Sequence, residues 1–398
     1  MEIKSEEKVQ LLPADELGLR LGHVTAAMRQ GGIDAMLLCD NANIFYLTGR
    51  VFCGYIYIDS DANIRYFVRR PSVLHGDGMR TVRKPEEIKA LLSDEHLSFD
   101  TLALELDDVP YSVVLRLAAA MGVASPLNAS AVMRRARSVK TDREISKIEA
   151  SAVKLTEVYR RIPHLYQEGM SDIELQIEIE RNLRLEGCLG QFRVTGHDLE
   201  IFMGNVLTGE NADTPSPYDF AMGGAGMNPS LPVGADGTII KPGRPVMVDM
   251  NGNFNGYMPD MTRCYIVDVI PPEVASAHSL SCDICAAVAQ NASDGASGSA
   301  LYELAAGMAS AAGMADYFMG HRYHAGFVGH GVGIAVNEQP VLAPRSKAVL
   351  QAGNVIAVEP KFVIPGFGAV GIENTYVVGS AGAARRLTDA PEVIASLD

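Results

Sequence analysis

The first 140 residues alternate between helix-like and strand-like hydrophobic patterns. Residues 14–31 place apolar side chains at helical spacing, and Gly31 and Gly32 end the pattern, as glycines often end helices. Short apolar runs typical of strands and one further helical pattern follow. The strands are predicted at residues 33–39, 43–47, 55–59 and 102–104, and the helix at residues 109–121. This alternation predicts an α/β domain.

The pattern changes near residue 138, where we expect the boundary between an N-terminal domain, 1–138, and a C-terminal domain, 139–398. One helix is predicted from about residue 142 toward 167. A second begins at Ser171, where Ser-x-x-Glu predicts a capping box. Residues 195–236 are rich in Gly, Pro, Asn and Asp, which predicts a long loop. After this loop, strands are predicted at 246–250, 261–267, 355–358 and 375–378, and helices at 273–293 and 299–318. The order predicts an α+β domain.

Composition excludes several classes of protein. The chain has 398 residues, 47% of them hydrophobic and 21% charged, so we expect two globular domains rather than disorder. The formal net charge of −14 makes nucleic acid and anionic membrane surfaces poor partners. The charged N-terminus lacks a secretory pattern, and no apolar run is long enough for a membrane span.

The six cysteines are scattered along the chain, which fits free thiols in a reducing cytoplasm. Cys282 and Cys285 form a CxxC pair, but they lie in a helical pattern without a second pair. We therefore expect these two residues to carry no chemistry.

Two aspartates flank a predicted hairpin in the C-terminal domain. Asp249 ends an apolar run, and Asp260 lies eleven residues later, at the start of the returning strand. A hairpin of this length can bring the two carboxylates together. Neighbouring carboxylates repel each other unless they share a proton or bind a cation.

Three more polar residues lie in similar surroundings. His330 is flanked by glycines, which let the backbone approach a site closely. Glu359 follows four apolar residues, where an unpaired carboxylate is costly to bury, and Glu373 follows fourteen residues later. Singly, such residues are usually solvated. Together with the aspartates they form a ligand set that suits Mn, Fe, Co or Zn, and bridging carboxylates would give a two-metal centre that activates water.

At these residues the chain resembles the pita-bread metallohydrolases, the family of methionine aminopeptidase, aminopeptidase P, prolidase and creatinase. The matching motifs are Asp249 with Gly256-Tyr257 and Asp260-Met261-Thr262-Arg263, then Gly329-His330-Gly331-Val332-Gly333, Glu359-Pro360 with Ile364-Pro365-Gly366, and Ile372-Glu373. Arg20, Gly32-Ile33-Asp34-Ala35 and Tyr46-Leu47-Thr48-Gly49 resemble the N-terminal domain of prolidase and creatinase. The resemblance implies a pita-bread α+β catalytic domain behind a smaller α/β creatinase-type domain.

The resemblance also implies roles for the five residues. Asp249 would bind one metal ion, Asp260 and Glu373 would bridge two, and His330 and Glu359 would complete the second. Glu359 would also assist proton transfer from the water. Manganese is the expected metal, with cobalt, iron or zinc as alternatives. The implied protein is a cytoplasmic homodimer that acts on a small peptide or small amide.

Several positions depart from the family pattern. Val233, Gly326 and Asn337 stand where family peptidases carry histidines, and Gly371 stands where prolidases and aminopeptidases P carry arginine. The missing groups bind peptide carbonyls, stabilise the tetrahedral intermediate and hold a substrate carboxylate. We therefore predict an atypical substrate pocket and poor cleavage of ordinary Xaa-Pro peptides.

Other residues are candidates to replace the missing groups. His324 is a candidate catalytic residue, while His197 and Asn337 are candidates for substrate binding. Arg263 and Lys361 are interpreted as structural or solvated. Two alternatives to a peptidase stay open: a family member acting on a small metabolite as a C–N hydrolase or lyase, and a binding protein that has lost turnover.

Overall fold

The structure is a computed structural model that describes residues 12–196, 203–218 and 220–397. The chain divides into two compact units, the first ending at Thr141 and the second beginning at Asp142. Within the described ranges, no helix has both the length and the apolar character needed to cross a membrane.

The first unit is built on a mixed six-stranded sheet. Its elements are α1 (Ala14–Gly31), β1 (Ala35–Leu38), α2 (Asn41–Thr48), β2 (Cys53–Asp59), β3 (Ile64–Arg70), β4 (Met79–Thr81), α3 (Ile88–Asp94), β5 (Leu102–Leu104), α4 (Tyr111–Met121), β6 (Leu127–Asn128) and α5 (Ser130–Ser138). The strand order is β4-β3-β2-β1-β5-β6. Alternate residues of the central strands, such as Leu37 and Tyr57, pack against Leu92 of α3 and Leu117 of α4. This α/β arrangement confirms the predicted class of the N-terminal domain.

The strand predicted at residues 43–47 was wrong, because these residues lie in α2. The side chain of Asp40 accepts hydrogen bonds from the backbone N–H groups of Ala42 and Asn43, which caps the helix. Gly49 ends it in the left-handed conformation. The capping signals at both ends therefore outweigh the apolar run.

The second unit combines helices with three antiparallel or mixed sheets. Its elements are α6 (Asp142–Arg161), α7 (Asp172–Leu185), β7 (Gly204–Thr208), β8 (Pro245–Met250), β9 (Thr262–Ile266), α8 (Pro272–Asn291), α9 (Gly298–Ala311), β10 (Gly329–Gly331), β11 (Glu338–Leu342), β12 (Val355–Val358), β13 (Lys361–Ile364), β14 (Gly368–Gly371), β15 (Asn374–Val377), β16 (Arg385–Arg386) and β17 (Ala395–Ser396). The strand orders are β17-β9-β8-β7, β11-β10-β12-β15-β16 and β13-β14. The predicted α+β class is confirmed.

Some boundaries differ from the predicted ones. The helix predicted to reach residue 167 ends at Arg161, and a 3-10 turn containing Pro163 follows. The helix predicted to reach residue 318 ends at Ala311. The region predicted as a long loop contains the buried strand β7, and the hairpin of β13 and β14 was not predicted.

Candidate metal centre

The first sheet of the C-terminal unit positions the two aspartates. Asp249 lies on β8, opposite Thr262 of β9, and Asp260 comes two residues before β9 begins. The hydroxyl of Tyr159 accepts a hydrogen bond from Met250 N and lies 2.6 Å from Met261 O. The strand pairing and this buried tyrosine therefore hold both aspartates at one end of the sheet.

The second sheet positions the other three residues. His330 lies on β10 opposite Ala357 of β12. Val358 of β12 pairs with Asn374 of β15, so Glu359 and Glu373 lie beside each other just past this pair. Thr262 and Glu373 exchange backbone hydrogen bonds, which joins the two sheets at the carboxylates.

The five predicted ligands converge in two overlapping groups. One group contains Asp260, His330 and Glu373, and the other contains Asp249, Glu359 and Glu373. Within each group the potential ligand atoms lie within 4.8 Å of one another. Nε2 of His330 lies 3.2 Å from Oε1 of Glu359 and 4.0 Å from Oδ2 of Asp260.

A lysine lies among these carboxylates. Nζ of Lys361 is 2.8 Å from Oδ2 of Asp249, 2.7 Å from Oε2 of Glu359 and 3.6 Å from Oε2 of Glu373. Its side chain is 0% exposed. The burial rules out the solvated alternative for Lys361 and leaves the structural one. The signal in the sequence is its distance of two residues from Glu359, because alternate strand residues point to the same side.

Burial and mutual charge shift the pKa values of the cluster in opposite directions. Burial and the neighbouring Asp249 raise the pKa of Asp260 to about 7. Burial and the nearby Asp260 carboxylate also raise the pKa of Glu373. Burial works against ionisation of Glu359 as well, but Lys361 and His330 outweigh it and lower its pKa to about 2. The cluster is therefore short of positive charge around Asp260 and Glu373.

The residues fit a divalent cation at the group of Asp260, His330 and Glu373. Oε1 of Glu373 is buried and has no hydrogen-bond partner among the described residues. Oε2 accepts a hydrogen bond of 2.8 Å from the hydroxyl of Thr262, which fixes the orientation of the carboxylate. A buried, oriented and unpartnered carboxylate oxygen beside an imidazole is the arrangement expected of a metal ligand.

Arg263 contacts the backbone of the cluster and not its carboxylates. Its guanidinium donates to the backbone oxygens of Thr262 and Glu373, to the side chain of Asn374, and to the backbone oxygens of Ala390 and Pro391. These contacts tie the segment before the last strand to the backbone of a predicted ligand. The interpretation of Arg263 as structural agrees with this geometry.

The cluster forms one end of a pocket with about 640 Å³ of empty space. We call the five predicted ligands the floor of the pocket. The wall consists of Phe192, Val194, Phe220, Phe327, Val336 and Asn337. Asn205 and Asn251 also line the pocket, and Oδ1 of Asn205 and Nδ2 of Asn251 are buried without a partner among the described residues. These two asparagines had no signal in the sequence.

The substrate-facing candidates have different positions. His324 is exposed, does not line the pocket, and its Nδ1 lies 2.9 Å from the backbone oxygen of Phe318, so the structure does not bring it to the floor. A tight turn with a bridge between Gly320 and His324 holds it there. His197 lies outside the described residues.

Asn337 lines the pocket, but its amide is already engaged. Its Oδ1 accepts a hydrogen bond of 2.6 Å from Thr195 N, and its Nδ2 donates one of 2.9 Å to Thr195 O. Asn337 therefore fastens the loop that carries Phe192 and Val194. Substrate binding by Asn337 stays a prediction.

The fold and the carboxylate–histidine cluster together define a metal-dependent hydrolase. Residues 146–380 match the family described as Metallopeptidase family M24, and residues 20–139 match the Creatinase/Prolidase N-terminal domain. The chain belongs to metallopeptidase family M24, which confirms the resemblance and the predicted enzyme class.

Individual relatives agree with this assignment. A Bacillus subtilis protein described as the uncharacterized peptidase YqhT is 27% identical over 91% of this chain and 96% of its own. The Xaa-Pro dipeptidase of Pyrococcus horikoshii is 23% identical over 94% and 98%. Among solved structures, an Xaa-Pro dipeptidase from Bacillus anthracis superposes with a TM-score of 0.79 at 22% identity, covering 96% of this chain and 99% of its own. The structural likeness supports the pita-bread fold.

Proposed function

We propose that this chain hydrolyses an amide or peptide bond in a small substrate, in the manner of an Xaa-Pro dipeptidase or aminopeptidase P but with a different substrate pocket. The observation that carries the proposal is the composition of the pocket. Metal-type ligands form its floor, apolar side chains form most of its wall, and no Arg or Lys occurs among its described lining residues.

The chemistry of the pocket favours a largely apolar substrate, because Phe192, Val194, Phe220, Phe327 and Val336 line it. Because no Arg or Lys occurs among the described lining residues, a free substrate carboxylate would lack the bidentate partner that normally compensates its charge. Asn205 Oδ1 and Asn251 Nδ2, which have no partner within the described part of the chain, suit a neutral amide group instead.

Glycine at position 371 adds to this argument. A Cβ atom there would lie 2.6 Å from Pro360 O and 2.9 Å from Lys361 Cα, closer than side chains tolerate. An arginine therefore does not fit at this position without a shift of β13. The arginine that prolidases and aminopeptidases P carry here is absent from this chain, and the local packing leaves no room for a side chain in its place.

The floor residues have distinct proposed roles. When bound, a divalent ion acidifies water and polarises the scissile carbonyl; manganese is our first choice, then cobalt, iron or zinc. Glu359 lies 3.2 Å from His330 at the floor of the pocket, so it is placed to accept a proton from the attacking water. Thr262 keeps Glu373 in place.

The alternatives receive less support. The relatives named above are described as a peptidase and as dipeptidases, so a lyase reaction on a small metabolite is not favoured. A binding protein without turnover is also not favoured, because it would bury four carboxylates without using them.

Hydrolysis assays with matched substrates test the proposal. Ala-Pro and its C-terminal amide, Ala-Pro-NH₂, differ only in the charge at the C-terminus. With manganese or cobalt supplied, we expect kcat/KM to be higher for the amide, and kcat/KM for Ala-Pro to fall below the usual enzyme range of about 10⁴–10⁸ M⁻¹s⁻¹. Glu359→Gln is the inactive control.

Two results would contradict the proposal in different ways. No metal-dependent hydrolysis of dipeptides, capped dipeptides or small amides would exclude the hydrolase function. A clear preference for Ala-Pro over its amide would exclude the pocket argument and leave the function standing.

We also propose a cytoplasmic homodimer, on the strength of the family resemblance. Light scattering of the purified protein tests the oligomer, and a strict monomer would contradict it. Fractionation of the cells that produce the protein tests the location.

A further inference from the structure

The position of Lys361 has a consequence for the number of metal ions. Its Nζ contacts Asp249, Glu359 and Glu373, the three residues of the second ligand group. Two of these three carboxylates, those of Asp249 and Glu359, accept hydrogen bonds from the ammonium. The first ligand group meets Lys361 only at Glu373, through the longest of these contacts, 3.6 Å.

We propose that the ammonium group of Lys361 replaces one of the two cations, so that the site binds a single divalent ion between Asp260, His330 and Glu373. This inference rests on the proposed metal-dependent function, but it concerns the number of ions and not the reaction. It corrects the two-ion centre that the family resemblance implies.

Distances make the ammonium and a second ion mutually exclusive. A divalent ion lies about 2.0–2.2 Å from carboxylate oxygens. An ion bound by Asp249, Glu359 and Glu373 would share these carboxylates with Nζ, which lies 2.8 Å from Asp249 Oδ2 and 2.7 Å from Glu359 Oε2. The two positive charges would then lie within a few ångströms of each other in a buried site, where water screens their repulsion poorly.

The backbone around Lys361 is built to hold it in place. Lys361 begins β13 and pairs with Gly371 of β14. A Cβ atom at position 371 would lie 3.1 Å from Lys361 Cγ, so the glycine leaves room for the lysine stem. The hydroxyl of Ser281 contacts Pro360 O and accepts a hydrogen bond from Ile372 N, which joins the start of β13 to the end of β14 beside the lysine.

The first ligand group keeps the features of an ion site. His330 supplies a nitrogen donor, and Oε1 of Glu373 is buried without a partner among the described residues. Lys361 therefore satisfies one part of the acidic cluster and leaves the other part open. One ion and one ammonium are the combination that this geometry accommodates.

Metal stoichiometry tests the inference directly. The protein is stripped with a chelator, reloaded with excess manganese, freed of unbound metal, and analysed by elemental mass spectrometry. We expect one ion per chain for the wild type and two for Lys361→Ala, which removes both the charge and the stem. Lys241→Ala, at an exposed lysine of the same unit, is the matched control and should bind one ion.

Electron paramagnetic resonance gives a second measurement that needs no variant. A single Mn²⁺ gives an uncoupled spectrum, whereas two ions roughly 3.5–4 Å apart give an exchange-coupled one. An uncoupled spectrum from the loaded wild type is expected. A coupled spectrum, a wild-type content of two ions or of none, or an unchanged content in Lys361→Ala would each overturn the inference.

The outcomes for metal number and for function separate cleanly. An inactive protein that binds one ion would refute the proposed function and keep the role of Lys361. An active protein that binds two ions would support the proposed function and refute the role of Lys361.

Discussion

The floor and the wall of the pocket are held in different ways. Floor residues lie on or directly beside paired strands, and a lysine, a threonine and backbone bridges orient their side chains. Much of the wall lies on loops, and the loop with Phe192 and Val194 is fastened by one asparagine side chain. Changes in the floor should therefore affect metal binding and turnover, and changes in the wall should affect substrate affinity.

The largest effect is expected for a floor ligand itself. His330→Ala removes the nitrogen donor and should lower kcat/KM by more than about 10³-fold, because losing even one oxyanion donor in an enzyme costs about 10²–10³. Metal content should fall in parallel. His75→Ala, at an exposed histidine of the other unit, should change neither quantity. Full activity of His330→Ala would show that His330 is not needed for catalysis and would contradict the proposed role of the floor.

The next effect is on stability. Lys361→Met keeps the bulk of the stem but leaves Asp249 and Glu359 without their cation. Breaking a buried ion pair on one side costs about 3–5 kcal/mol, so urea unfolding in a chelator should show a loss of that order. Lys241→Ala should stay within about 0.5 kcal/mol. A loss below about 1 kcal/mol for Lys361→Met would contradict the buried ion pairs.

A smaller effect is expected behind the floor. Thr262→Val removes the hydroxyl that donates to Glu373 and should weaken metal binding by about 10–100-fold, the usual cost of losing a partner that orients a ligand. Thr262→Ser keeps the hydroxyl and should bind metal almost as the wild type does. Isothermal titration with manganese measures both, and equal affinities for the two variants would count against this role.

The smallest effect belongs to the wall. Asn337→Leu removes two hydrogen bonds to Thr195, each worth about 0.5–1.5 kcal/mol, and should raise KM several-fold without changing metal content. Asn337→Asp keeps the hydrogen-bond acceptor, so its KM should lie between the KM of the wild type and that of Asn337→Leu. Hydrogen exchange at the amide of Thr195 should be faster in Asn337→Leu. A drop in metal content would show that floor and wall are not independent.

The sequence predicts the floor better than the wall for a physical reason. A carboxylate at the end of an apolar run is costly to bury, so Asp249 and Glu359 stand out without any knowledge of the fold. Asn205 Oδ1 and Asn251 Nδ2 have no partner among the described residues because of the paths that the loops take, and no local pattern in the sequence marks them. The position of Lys361 could have been predicted from the alternation of side chains along a strand, because it lies two residues after Glu359. The hairpin of β13 and β14 that carries it was not predicted.

The same limit explains the errors in secondary structure. The run at residues 43–47 is apolar enough for a strand, and only the caps at Asp40 and Gly49 decide for a helix. The buried strand Gly204–Thr208 is short and lies between glycine-rich segments, so it has no period that separates it from loop. Tertiary pairing with β8 creates that strand.

The contacts of Arg263 have a practical consequence for anyone who expresses this protein. The guanidinium joins the backbone of Glu373 to residues 390 and 391, and Leu397 is buried just beyond them. The segment near residues 390 and 391 is thus connected through Arg263 to a predicted metal ligand. We expect a preparation clipped near residue 390 to bind metal more weakly while keeping most of its mass. Inactive batches should therefore be checked for an intact C-terminal segment before the loss of activity is attributed to insufficient metal.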